Sequence, residues 1–104
     1  MTLHVALTAR TAADIRALKA WGIDNWGPAR TREFLGGLRE AIDRLTSHPH
    51  MGRTRRSLHP DLRSVIYRGH VIFHANKGEW LIVIGVIHER RNQAALDFAD
   101  RIDD

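Results

Sequence analysis

Nine residues late in the chain, Trp80-Leu-Ile-Val-Ile-Gly-Val-Ile-His88, are apolar at almost every position, interrupted only by Gly85 before His88. Odd and even positions alike carry Leu, Val or Ile, so a strand built from them has two apolar faces. Such a strand is unstable at a solvated edge. It calls for a neighbour on each side and a layer above and below. The run is far short of the roughly 20 residues of a membrane-spanning helix. It therefore predicts the central strand of a sheet, and the rest of the chain must supply what pairs with it and covers it.

The segments before it read as the start of an antiparallel meander. Residues 62–67 are short and rich in β-branched side chains, and Arg68-Gly69 is a tight turn. Residues 70–75 alternate, with Val71, Phe73 and Ala75 pointing one way and His70, Ile72 and His74 the other. The turn at 76–79 offers Gly78 for a positive φ. Near the N-terminus, Leu3, Val5 and Leu7 alternate with polar or small residues, as in a strand of about six residues. Pairing it with the free side of the last strand gives four strands in the order 1-4-3-2, numbered along the chain.

Between the first strand and the meander lie two helical patterns. Thr11-Ala-Ala-Asp14 resembles a capping box; it opens a helix whose core face is Ala12, Ile15, Leu18, Gly22 and Trp26. Gly27 and Pro28 end that helix and begin the next. The second helix runs to about Thr46 with a stripe of Phe34, Leu35, Leu38, Ala41, Ile42 and Leu45, one face of a 3.6-residue repeat. So short a connection makes an antiparallel hairpin. Gly36 and Gly37 interrupt this helix, each costing about 1 kcal/mol relative to Ala, and read as tolerated drift. Residues 47–60 form a basic loop with His48, His50 and His59, and residues 92–102 predict a short last helix. The result is an α+β two-layer domain spanning 1–104, with the hairpin on one sheet face. The other face, drawn from Ile72, His74, Ile82, Ile84 and Val86, is expected to stay open as a partner groove.

Composition narrows the function classes. At 104 residues there is room for one compact domain. Without cysteine, disulfides and thiolate chemistry are excluded and a reducing compartment fits; with no long apolar run at the start, a cytoplasmic location is expected. The net charge is +4 with a pI near 10.6. Seven basic residues from Arg44 to Lys77 face a single acid, Asp61, while the tail carries Asp97, Asp100, Asp103 and Asp104. This asymmetry suggests an anionic partner, either nucleic acid or an acidic protein segment.

Several short motifs in order carry a family resemblance. They are Ala13-Asp14-Ile15, Trp26-Gly27 at the hairpin corner, Leu45 followed by His48-Pro49 and Met51-Gly52, Pro60-Asp61-Leu62-Arg63-Ser64 leading into the sheet, Val71-Ile72-Phe73, and Val86-Ile87-His88-Glu89-Arg90-Arg91. Together they resemble the ParE branch of the RelE/ParE toxin superfamily of bacterial type II toxin–antitoxin modules, over nearly the whole chain. The resemblance implies one of two activities. RelE-like members cleave messenger RNA on the ribosome, and ParE-like members poison DNA gyrase. Both are neutralised by an antitoxin whose C-terminal segment wraps the toxin.

RNA cleavage through a 2′-hydroxyl needs a base, an acid and cations at the phosphate. The candidates are His88, Arg63 and Arg90, with the end of the last strand expected to lie near Arg63. Against this, the ribonuclease pattern has a catalytic Tyr or Phe soon after the last strand and lysines in the loop. Here the only tyrosine is Tyr67, the loop carries arginines, and Glu89 follows His88. The residues therefore favour a gyrase-binding toxin without chemistry of its own, and with no cofactor or metal. A ParD-like antitoxin and DNA gyrase are the implied partners, with nucleic acid contact through the gyrase–DNA complex and none with a membrane. The expected binding residues are Arg53, Arg55, Arg56, Arg63, Arg68, Ile72, His74, Arg90 and Arg91. Trp21, Trp26 and Trp80 read as packing, and the loop histidines as solvated.

Overall fold

The computed structural model describes residues 2–89. The element order is β1 (His4–Leu7), α1 (Ala9–Trp26), α2 (Pro28–Ser47), β2 (Arg53–Thr54), β3 (Leu62–Tyr67), β4 (His70–Lys77) and β5 (Trp80–His88). β5 lies inside the sheet, paired in parallel with β1 and antiparallel with β4. The four expected strands keep their expected neighbours, but the sheet is mixed and has a fifth member. Its order is β1-β5-β4-β3-β2. β2 forms inside the expected loop by pairing Arg53 with Ser64 and Thr54 with Arg63. Two residues are too few for a periodic signal, so only the partner strand reveals it. Both edges of the sheet are short, which limits edge-to-edge association.

The hairpin covers one face. Leu38, Ala41, Ile42 and Leu45 of α2 meet Ile72 of β4 and Leu81, Val83 and Val86 of β5. Leu45 is completely buried, and a side chain of that kind contributes about 1.5–3 kcal/mol. α1 sits further out: Thr11 and Gly22 are its buried positions, while Trp21 and Ile23 are exposed. Its cap is Thr8, not Thr11, because Thr8 is the last residue with extended dihedrals and its side chain accepts from Thr11 N. Thr11 points at the sheet instead, and its hydroxyl donates to Val83 O at 2.9 Å. The corner is made at Gly27, whose φ of 90° is open to glycine, with its N–H donating to Gly22 O and Ile23 O.

The assignment of faces differs from strict alternation. The register shifts between Phe73 and His74, so that Phe73 pairs with Gly85 but His74 pairs with Val83, leaving Ile84 as a bulge. Beyond it the side chains of β5 change sides. Val86 joins Ile72 under the helices, while Ile82 and Ile84 pack on the opposite face with Leu62, Val71, Phe73, Ala75 and Ile87. Nor is that opposite face an open groove, since its six core residues are each no more than 3% exposed. Leu58 packs on it, and the Arg55 guanidinium lies 5.9 Å from the Phe73 ring. The expected helix at 92–102 lies outside the described residues.

One glycine in α2 proves structural. Tyr67 reaches across from β3 and donates its hydroxyl to Phe34 O at 2.7 Å. A Cβ on Gly37 would stand 2.2 Å from that oxygen, whereas a Cβ on Gly36 meets nothing within 4 Å. Gly37 is therefore a point of close approach, and only Gly36 fits the reading of tolerated drift. Gly36→Ala should stabilise the protein by about 0.5–1 kcal/mol through helix propensity. Gly37→Ala should lose about 1–3 kcal/mol through overpacking, and adding Tyr67→Phe should recover part of that loss. Urea denaturation of the three variants measures all of these changes.

Candidate functional site

The up-down-up path of β3, β4 and β5 separates two ends of the sheet. β3 and β5 are each antiparallel to β4, so they run the same way. Arg63, at the start of β3, pairs with His74, which pairs with Val83. His88 pairs with His70, four positions along β4 from His74, which puts it about 13 Å further along at the usual strand rise. The expected meeting of Arg63 and His88 does not occur, because the first and last strands of a three-strand meander start at the same end.

At the Arg63 end, β2 and the flanking loops bring Arg53, Arg55, Arg56, Arg63 and His74 together. Arg53 and Arg56 are exposed. Arg55 is half-buried and donates Nε to Ser64 Oγ at 2.7 Å. Arg63 donates Nη1 to His50 O at 3.2 Å and Gly52 O at 2.9 Å, fastening the 48–52 loop to the sheet. Beneath it His74 is completely buried, with neither ring nitrogen hydrogen-bonded among the described residues. Gly52 lies against the ring, where a Cβ would stand 2.8 Å from His74 Nε2. Burial, and then the neighbouring Arg63 charge, lowers the His74 pKa to about 4, so the imidazole is neutral near pH 7. Ile72 is also fully buried, under α2. Neither Ile72 nor His74 therefore offers a contact surface, contrary to the sequence expectation.

The other end joins Arg68 and His88, both named from the sequence, to residues that the sequence did not single out as a site. Rings run in a chain from Trp21 to Trp26, Phe34, His70 and His88, with centroids 5.1–5.4 Å apart. Arg30 stands 5.4 Å above Trp26. Arg68 bonds Glu33 at 2.9 Å, and that hydrogen bond raises its pKa above the ordinary guanidinium value. Leu18, Trp21, Arg30, Arg68 and His88 line a cleft of about 420 Å³ here. These residues come from α1, α2, the β3–β4 turn and the adjoining ends of β4 and β5, and no local motif joins them. Arg90 and Arg91 lie outside the described residues.

Comparison with known proteins decides the family. The family model for the ParE toxin of type II toxin–antitoxin system, parDE, matches residues 5–93. The chain belongs to the ParE toxin family. A relative named Toxin ParE from Escherichia coli is 31% identical over 91 residues, covering 86% of this chain and 87% of its own. A solved structure described as the chromosomal ParDE TA system from P. aeruginosa shares the fold, with a TM-score of 0.72 at 19% identity over 84% of this chain and 96% of that one. Both ends of the sheet fall within the span matched to the ParE family.

His74 gives this ParE family member a pH-dependent stability. The unfolded chain takes up the His74 proton below about pH 6.5, but the folded chain does so only near pH 4. Stability from this group is complete above 6.5 and is lost as pH falls through that window, by up to about 3 kcal/mol. Denaturant midpoints from pH 7 to pH 4 should fall more steeply for the native chain than for His74→Leu.

Proposed function

We propose that this chain is the toxin of a type II toxin–antitoxin pair, that it arrests growth by binding DNA gyrase, and that a ParD-like antitoxin neutralises it in the cytoplasm. The observation that carries the reading is the separation of Arg63 and His88 at opposite ends of the sheet. A general base and the cations that steady a phosphate have to meet within hydrogen-bond reach of one reacting group. His88 instead stands against His70, with the exposed Glu89 beside it. Tyr67, the one tyrosine, is held to the α2 backbone.

Binding has better material. Trp21 is half exposed, and the cleft beside it combines tryptophan and arginine, the residue types that dominate protein-binding hot spots. Arg53, Arg56 and Arg68 add exposed positive charge for acidic groups on a partner. The relatives' descriptions as Toxin ParE and as a ParDE system support an antitoxin partner.

Purified protein added to gyrase should inhibit supercoiling, and Trp21→Ala should weaken that inhibition about tenfold, the effect of one hot-spot residue. His88→Ala should still arrest growth. A nuclease that used His88 as its base would lose about 10²–10⁴ in rate on that change. Unchanged supercoiling at high excess over gyrase, or transcript cleavage on ribosomes, would overturn the proposal.

A further inference from the structure

The Trp21 cleft is walled almost wholly by flat groups. Five of the eight residues around it are rings, from the exposed Trp21 to the buried Phe34. Two more, Arg30 and Arg68, end in planar guanidinium groups, and only Leu18 is aliphatic. The groove beside β1 is a contrast, lined mainly by Val5, Leu7, Ile15, Leu35, Leu38 and Ile42. Branched aliphatic walls suit the aliphatic side chains of another protein. Flat, polarisable walls suit a flat ligand whose π-face can lie against them.

The groups that a ligand can reach add charge. Trp21 is 51% exposed, and Arg30 and Arg68 are exposed on the same cleft. Arg30 lies 5.4 Å from the centre of the Trp26 ring and pairs with no carboxylate among the described residues. Arg68 bonds Glu33 through Nη2, which leaves the rest of its fork for an anion. No acidic side chain lines the cleft. A stacking surface beside guanidinium groups is the combination that holds single-stranded nucleic acid: the base lies on a ring and the arginines meet the phosphate. In a duplex the base faces are already stacked on their neighbours and cannot reach Trp21. At about 420 Å³ the cleft has the size of a small-molecule site.

We propose that this cleft holds one unpaired nucleotide, its base against Trp21 and its phosphate between Arg30 and Arg68. The proposal rests on the gyrase reading only for the source of the strand, since gyrase acts on DNA. Fluorescence anisotropy of a short labelled single-stranded oligodeoxyadenylate, titrated with the full chain, tests it. The strand should bind saturably, about tenfold or more tighter than the same strand in a duplex or an abasic strand of equal length. Trp21→Ala should weaken binding about tenfold or more, whereas Trp21→Phe, which keeps a ring, should retain most of it. Arg30→Gln should weaken binding and flatten the slope of log affinity against log salt by about 0.7, the share of one phosphate contact. Both positions are exposed, and circular dichroism should show all three variants folded.

Equal affinity for the single strand, the duplex and the abasic strand would reduce the cleft to a basic surface and overturn the proposal. So would binding that is unchanged by Trp21→Ala. If an acidic peptide binds through Trp21 and the strand does not, the cleft is a protein site and the proposal falls. Free dAMP that binds as tightly as the strand supports the cleft and names a free nucleotide as its ligand; a strand that binds tighter names single-stranded DNA. The supercoiling assay separates this proposal from the gyrase reading. Inhibition by a chain that binds no strand sinks the proposal and leaves that reading standing, and strand binding without inhibition does the reverse.

Discussion

β5 carries apolar side chains on both faces, and every other element is placed by the need to keep them from water. Leu81 and Val83 are fully buried on the helix side and Ile84 on the other. Backbone groups on both of its edges must also be paired, since a buried amide without a partner is costly. β1 and β4 do that pairing, and the α2 stripe closes one face. Thr11 then ties the start of α1 to the carbonyl of Val83, so the hairpin is anchored to the same strand that it covers. A substitution that put a charge into the middle of β5 would disturb both layers at once.

The direction in which the chain leaves β5 has a functional consequence. With β3 and β5 parallel to each other, groups at the start of one and the end of the other are held apart by the length of the sheet. The basic loop and Arg63 therefore belong to one end, and His70, His88 and the aromatic rings beside them to the other. Each end is internally coherent. Arg63 fastens the 48–52 loop over His74, and tilted and edge-to-face rings join the hairpin corner to the ends of β4 and β5. Charge that looks continuous along the sequence is thus divided between two surfaces with different chemistry.

Much of the fold was legible because its signals are local. The turn at Arg68-Gly69 forms where expected, Gly78 adopts the expected positive φ, and β3 and β5 occupy the residues assigned to them. The α2 stripe is the helical contact with the sheet. The site was less legible. Gly37 looks like a defect until Tyr67 is seen with its hydroxyl on the carbonyl of Phe34, 33 positions away from it in sequence. His74 and Ile72 look available until the bulge at Ile84 settles which face they share with β5. Trp21, Arg30 and His70 carry no spacing that connects them.

Periodicity and composition by themselves determined that this chain makes a hairpin of helices over a sheet centred on residues 80–88, since hydrophobic spacing and turn residues act over a few positions. The family resemblance came instead from short motifs in order along the chain, and the match to the ParE toxin model over residues 5–93 bears it out. Only the tertiary structure decided which face each strand presents, which arginines are anchored and which exposed, and that Arg63 and His88 stand apart. Those outcomes depend on strand register, a single bulged residue and the direction of travel through the meander, and each of these is a relation between distant segments that no local pattern encodes.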